Sequence, residues 1–376
     1  MARRTTLLLL TGGCGESPVE QALEGAHHAA SRDLLETLLA AGSIDQAVVA
    51  TDDPAWGREL EDLPVTLDLD PPAEPFHFGE RLSRLIRRYD VERVLYTGGG
   101  SAPLLLAEEW AMVLDKLACA DRVVITNNVH SCDWVAWTPV RETLPFITEQ
   151  ANDNAIAWAL ANEGGYPVET MEASAGSRFD IDTPVDLLIA QRHPDTGVNL
   201  RRYLERLNWP APTLDQVLAE MRREGGSLIV AGRASPTAWQ ALQRATRCWV
   251  RVFAEERGMR ASGRQGRGEV RSLLASYLDL VGVEEFFDVM GQLADGILLD
   301  NRVILASRGL WPSAADRFNS DLYRWEEVED PFLREFTRAA EEAAVPVVMG
   351  GHTVAAGGLM ALAEAACRHR GRQGGG

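Results

Sequence analysis

Residues 5–18 read TTLLLLTGGCGESP. Thr5–Thr11 is a short apolar run that meets Gly12 and Gly13 at once, the pattern of a buried strand feeding a glycine-rich loop. Glycines let backbone N–H groups approach phosphate oxygens, and a helix starting behind the loop adds a favourable dipole. Leu7–Leu10 is too brief for a signal peptide, which needs a longer apolar stretch, or for a bilayer span of about 20 residues. The segment is therefore expected to be the first strand of a cytoplasmic protein. The loop lacks both the G-x-G-x-x-G fingerprint and a P-loop's Gly-Lys-Ser/Thr, and about half of such loops are plain turns.

Outward from this stretch, apolar runs and helical periodicities alternate. A helix is expected at Ala29–Ala41, strands at Gln46–Thr51 and Leu63–Leu67, a helix at Gly79–Tyr89 and a strand at Arg93–Tyr96. A helix at Leu104–Ala118 and strands at Val123–Thr126 and Val135–Trp137 complete the half. This alternation predicts an α/β fold: a parallel or mostly parallel sheet with helices on both faces. Turn residues crowd 193–212, and the charge changes there, with 17 basic and 33 acidic residues before position 213 but 20 and 22 after it. The expected domains are 1–208 and 209–370, with 371–376 a frayed tail. The second, smaller α/β domain is expected to run strand Ser227–Ala231, helix Thr237–Glu256, helices Leu273–Leu280 and Val283–Leu293, and strands Gly296–Leu299 and Val303–Ala306. Helix Pro331–Ala344, strand Val345–Met349 and helix Gly358–Ala366 follow.

The chain has 376 residues, 46% apolar and 24% charged, which fits a folded soluble protein. A net charge of −18 argues against a nucleic-acid partner, because phosphate backbones need clustered positive charge. No membrane partner is expected, and a homo-oligomer remains open. Lys116 is the only lysine, which removes that side chain from nearly all catalytic roles. The five cysteines form no C-x-x-C pair, so neither zinc nor a disulfide framework is suggested.

Four further stretches carry chemistry. Asp52 and Asp53 end the second strand, where open α/β sheets bind ligands, although either could instead cap the next helix. Gly98, Gly99 and Gly100 follow a strand, and Ser101 is placed to cap the helix beyond; a ligand contact is the better reading of so many glycines. Asp180 and Asp182 alternate along an extended segment, so their side chains share one face, and Thr183-Pro184 with Asp186 opens a helix. Two carboxylates on one face repel unless a cation or hydrogen-bond donors sit between them; Mg2+ is the natural guest beside nucleotide phosphates, while the plainer reading gives Asp182 to the cap and leaves Asp180 solvated. In the second half, Arg257, Arg260, Arg264, Arg267 and Arg271 alternate with glycines; Arg260, Arg264 and Arg267 are the candidate anion binders, against a solvated loop balanced by Glu255, Glu256 and Glu269. His352, among glycines after a strand, is the best placed of seven histidines for acid–base work, though a turn residue is the commoner role.

Taken together these motifs resemble the nucleotidyltransferase (GT-A-like) superfamily over residues 5–192. Within it the chain is most similar to the 2-phospholactate and phosphoenolpyruvate guanylyltransferases and the molybdopterin guanylyltransferases. Gly12-Gly13-Cys14-Gly15 stands at the glycine-rich nucleotide loop, Val48–Pro54 at the strand ending T-D-D-P, Phe78–Leu85 at the G-x-x-x-A-L helix, and Phe179–Leu187 at the D-x-D-T-P-x-D-L segment. The resemblance implies transfer of a nucleoside monophosphate from an NTP such as GTP to a small phosphorylated metabolite, with release of pyrophosphate. Gly12, Gly13, Gly15, Ser17, Asp52, Asp53, Gly98, Gly99, Gly100, Ser101, Asn127 and Asn128 would bind the nucleotide. Asp180 and Asp182 would hold Mg2+ and act in catalysis with His352. The sequence departs from the family at three points: Gly15–Pro18 carries no basic residue, Gly98–Leu104 lacks the metal-binding aspartate, and Thr126–Asp133 replaces a G-T-N turn. Two other readings stand beside this one: an inactive protein that binds a nucleotide or sugar phosphate, and a separate activity of the C-terminal domain on an anionic substrate.

Overall fold

The structure is a computed structural model describing residues 3–71 and 75–373. Its contacts divide the chain into two compact units. One comprises the chain up to Cys14, Glu24–Ser177 and Gly197–Tyr203; the other comprises Gly15–Leu23, Arg178–Thr196 and the residues from Leu204 onward.

The first unit is built on a seven-stranded sheet: β1 (Thr5–Thr11), β2 (Gln46–Thr51), β3 (Thr66–Leu69), β4 (Arg93–Gly98), β5 (Val123–Thr126), β6 (Trp134–Thr138) and β7 (Val168–Thr170), in the order β3-β2-β1-β4-β6-β5-β7. Only β6 runs antiparallel to its neighbours, so the mostly parallel sheet expected from the sequence is present. β1 is buried along its whole length, and alternate side chains serve opposite faces. Leu8, Val48, Val94 and Trp137 pack with Leu82 and Leu85 of helix Phe78–Arg88. On the other face Leu7, Val49, Leu95 and Trp134 pack with Leu35 and Leu38 of helix Pro18–Ala41 and Trp110 of helix Ala107–Cys119. Helices therefore cover both faces.

The second unit carries a smaller, fully parallel sheet of β8 (Ser227–Gly232), β9 (Trp249–Ala254), β10 (Gly296–Asp300) and β11 (Val347–Gly350), ordered β11-β10-β8-β9. Residues 178–196 go with this unit although the sequence assigned them to the first domain. The cause is packing: Val185 sits against Gly350, Thr183 against Gly351, and the Thr353 hydroxyl bonds the Asp186 carboxylate.

Three expectations are corrected here. The helix expected over Thr237–Glu256 stops at Ala245, and Trp249–Ala254, with Val250, Val252 and Phe253, is strand β9. Val303–Ala306 is not a strand but part of helix Arg302–Ser307, with Val303 and Ala306 together against Met259 and Val270. Of the expected tail, 371–373 continue helix Gly357–Gln373, and 374–376 lie outside the described residues. No described helix is long and apolar enough to cross a membrane.

β8 and β10 are adjacent in space but separated in sequence by β9, which makes their carboxyl ends the topological switch point of this sheet. Gly232 closes β8 there at φ 106°, and a Cβ would stand 2.5 Å from Asp300 Cβ and 2.7 Å from the Asp300 carbonyl. Gly232→Ala should lower the unfolding free energy of the second unit by about 2 kcal/mol through strain and overpacking. Urea unfolding checks this; an unchanged midpoint would refute it.

Candidate functional site

The carboxyl ends of β1, β2 and β4 open onto a pocket of about 970 Å3. Gly12 and Gly13 after β1, Asp52 after β2, and Gly98 and Gly99 at the end of β4 all line it. The Gly99 N–H bonds the Leu10 carbonyl at 2.9 Å, and a Cβ on Gly99 would lie 2.4 Å from Thr11 Oγ1. Only glycine lets the two loops close together there.

The loop's own hydrogen bonds decide what it can hold. The Gly13 N–H donates to Asp52 Oδ1 at 3.1 Å, and the Cys14 N–H donates to Glu24 Oε2 at 3.2 Å. Donors that a glycine loop would offer to phosphate thus already face carboxylates. Further acid comes from Asp70, Glu80 and Asp153, against Arg81 and Arg84. Arg81 is committed, bonding Asp70 at 2.6 Å and the buried Asp68 at 3.0 Å. Burial opposes the charge on Asp68, but hydrogen bonds from Tyr89 and Arg81 outweigh it and hold its pKa below the usual carboxylate value. A phosphate charge about 4 Å from Asp52 would meet roughly 4 kcal/mol of repulsion at an effective dielectric of about 20. A bare polyphosphate is a poor guest for this pocket; a cation-complexed one is not.

The hydroxyl of Tyr96 donates to Asp153 Oδ2 at 3.0 Å. Burial first, and then the Asp153 charge, push this phenol well above its ordinary pKa, so it remains a donor. The sequence reading missed Asp70, Arg81, Tyr96 and Asp153. One signal was available: Asp68-Leu69-Asp70 has the same alternation as Asp180-Ile181-Asp182.

Other candidates lie outside the pocket lining. Asp53 caps helix Pro54–Glu59, accepting from the Ala55 and Trp56 N–H groups at 2.7 and 3.2 Å. Gly100 takes φ 80°, and Ser101 Oγ donates to the Asp133 carbonyl at 2.9 Å instead of capping a helix, since the helix begins at Ala107. Asn127 bonds the Asp133 side chain, and Asn128 Oδ1 accepts the His130 N–H at 3.2 Å, so both brace the turn before β6. Gly15 and Ser17 belong to the second unit. Ser17 Oγ bonds Glu20 Oε2 at 2.6 Å and accepts the Glu20 N–H at 3.3 Å, the reciprocal capping that starts helix Pro18–Ala41. Gly15 lies at φ 138°, where a Cβ would collide with Glu20 at 2.2 Å.

The second unit gathers its own polar cluster, several of its members at the carboxyl ends of its strands. Asp180, Asp182 and His352 bring ligand atoms within 4.8 Å of one another, and such a group could hold a divalent cation. His352 Nδ1 is 3.5 Å from Asp182 Oδ2. At the switch point Arg233 grips the buried Asp300 with Nε and Nη2 at 2.6 and 2.9 Å. Arg302 grips the buried Asp321 in the same two-pronged way, at 2.8 and 2.6 Å.

The three arginines expected to bind an anion differ in fate. Arg264 pairs with Glu256 at 2.7 Å and Arg267 with Glu269 at 2.8 Å. Arg260 has no carboxylate ion pair among the described residues; its guanidinium lies 5.3 Å from the centre of the Trp311 ring, over which Arg317 also lies at 4.7 Å.

No protein-family model matches the chain, and no curated protein matches its sequence. Among solved structures, the chain is similar to a nucleotidyl transferase from Methanothermobacter thermautotroptrophicus, at 15% identity and a TM-score of 0.38, over 55% of this chain and 99% of that one. It is similar to a 4-diphosphocytidyl-2C-methyl-D-erythritol synthase from Anaerococcus prevotii, at 12% identity and a TM-score of 0.36, over 50% and 96% of the two chains. A Mycobacterium tuberculosis protein in complex with manganese gives 18% identity and a TM-score of 0.32, over 55% and 100%. Each of these matches spans about half of this chain.

Asp186 anchors the cluster of the second unit. It accepts the Asp182 and Thr183 N–H groups at 3.1 and 2.7 Å and the hydroxyls of Thr183 and Thr353. Burial nevertheless pushes its carboxyl from 3.8 to about 7. Between those values the folded chain keeps a proton that the unfolded chain has lost, so this group's stabilisation is complete at low pH and declines as pH rises. In thermal melts from about pH 4 to about pH 8, Asp186→Asn should flatten the decline seen in the wild type. Parallel pH profiles for the two chains would refute the assignment.

Proposed function

We propose that the chain is a nucleotidyltransferase, binding an NTP with a divalent cation in the pocket of the first unit and passing its nucleoside monophosphate to a small phosphorylated metabolite. One observation carries the reading: Gly12, Gly13, Asp52, Gly98 and Gly99, drawn from three separated stretches of sequence, converge on one pocket at the strands' carboxyl edge. The acidic lining supports a cation-complexed ligand over a bare one. Within the second unit, and apart from that pocket, Asp180 and Asp182 are proposed as holders of Mg2+, with His352 as an acid–base group there. The two carboxylates alone are an all-oxygen pair, which suits Mg2+ and leaves the imidazole free for proton transfer.

Gly12→Leu tests the pocket. A Cβ on Gly12 meets nothing closer than Asp52 Oδ1 at 3.6 Å, so the larger side chain should fill the ligand's space with little loss of stability. The wild type should be stabilised by one of a panel of nucleoside triphosphates with Mg2+ and should release pyrophosphate when the acceptor is supplied. The variant should melt as the wild type does and lose both effects. Stabilisation without turnover across a panel of phosphorylated acceptors would favour the inactive binding protein, and neither effect in the wild type would end the proposal.

A second reading concerns the second unit, where Arg260 and Arg317 both lie against the Trp311 ring without a carboxylate ion pair of their own among the described residues. Burial, then the nearby charges of Arg302 and Arg260, lower Arg317 to about 10. Guanidiniums crowded together in this way favour an anionic ligand between them. We propose that this unit binds a phosphate or carboxylate group there, through Arg260 and Arg317. Inorganic phosphate should raise the melting temperature of the wild type and of Arg264→Gln but not of Arg317→Gln. Equal shifts in all three would contradict it.

A further inference from the structure

We infer that Glu24, His28 and Asp53 form a site for a divalent transition metal beside the glycine loop of the first unit. Glu24 and His28 stand four residues apart on helix Pro18–Ala41 and so share a face. Asp53 comes from the turn after β2, and one ligand atom from each of the three lies within 4.8 Å of the others.

Each group is held as a metal ligand needs to be. Asp53 Oδ1 is fixed by the Ala55 and Trp56 N–H groups, and Glu24 Oε2 by the Cys14 N–H. Outer hydrogen bonds of this sort orient ligating carboxylates. The His28 ring is stacked flat on Trp56, with centroids 4.3 Å apart and planes 7° from parallel. Its Nε2 is shielded from water and makes no hydrogen bond among the described residues, although two carboxylates are close by. A buried imidazole nitrogen without a partner is unfavourable, and a cation shared with Glu24 and Asp53 would satisfy it.

One nitrogen and two oxygens make a borderline set, favouring Zn2+, Mn2+ or Co2+ over the all-oxygen preference of Mg2+. Cys14 is left out of the set, because its thiol is engaged 3.5 Å from His27 Nδ1. The spacing of cysteines gave no hint of such a site, since none of the three ligands is a cysteine. These three side chains can take the ion whether or not the pocket takes a nucleotide.

The test uses the full chain, stripped with a chelator and titrated with Co2+ without nucleotide, following the visible absorption of the bound ion. Two other groups could also take metal, Asp180 with Asp182 and His352, and His193 with Asp195 and Glu364, so variants separate them. Glu24→Gln can still accept the Cys14 N–H, and His28→Phe can still stack on Trp56, so both should fold and melt near the wild type. Each should lose one equivalent of Co2+, or bind it roughly 100-fold more weakly, whereas Asp182→Asn keeps that equivalent. Excess Mg2+ should fail to displace it. Equal binding by the wild type and both variants, no binding by the wild type, or ready displacement by Mg2+ would each overturn the inference.

Discussion

Parallel strands all end on the same edge of their sheet, because each needs a crossover through a helix before the next can begin. That constraint gathers polar loops that are distant in sequence. In the first unit it brings the turns after β1, β2 and β4 to one pocket. In the second it sets Gly232 and Arg233 after β8 against Asp300 at the end of β10. β1, β4 and β10 are almost entirely buried, so apart from Tyr96 and Asp300 the polar groups come from the loops.

What those loops can do is governed by charge. The glycine loop donates to Asp52 and Glu24, and no lysine or arginine follows it before Arg32. Unless a cation intervenes, the loop is better suited to holding carboxylates than to cradling phosphate. A metal ion on Glu24, His28 and Asp53 would neutralise part of this acid without any basic residue in the loop. The second unit handles charge differently, by two-pronged burial of Arg233 on Asp300 and of Arg302 on Asp321. Removing one partner of such a pair typically costs about 3–5 kcal/mol, because the other is left charged and dry. These pairs engage Arg233 and Arg302 at the buried carboxylates, whereas Arg260 and Arg317 make no carboxylate ion pair among the described residues.

Much of the architecture was legible from residue patterns. Thr5–Thr11, Gln46–Thr51 and Val123–Thr126 announce themselves as strands because a continuous apolar run of that length suits a sheet covered on both sides. Thr183-Pro184 with Asp186 announces a helix start because the capping bonds are local. The misreadings share a cause. Trp249–Ala254 was absorbed into the preceding helix, and Val303–Ala306 was given to a strand, because a short apolar run fits either element and its neighbours in space decide. Ser101 has the right type for a cap, but its hydroxyl reaches the Asp133 carbonyl instead.

The sequence by itself determined the alternation of strand and helix, the glycine turns and the excess of acid, since each follows from side-chain type within a few residues. Only the tertiary structure decided which charges meet. It neutralised Arg264 and Arg267 on nearby glutamates while leaving Arg260 beside Arg317, 57 residues further along. It also placed His28 with Asp53, and Asp182 with His352. Electrostatic partnership depends on distance through space, and a chain folded into parallel sheets makes that distance nearly independent of separation along the sequence.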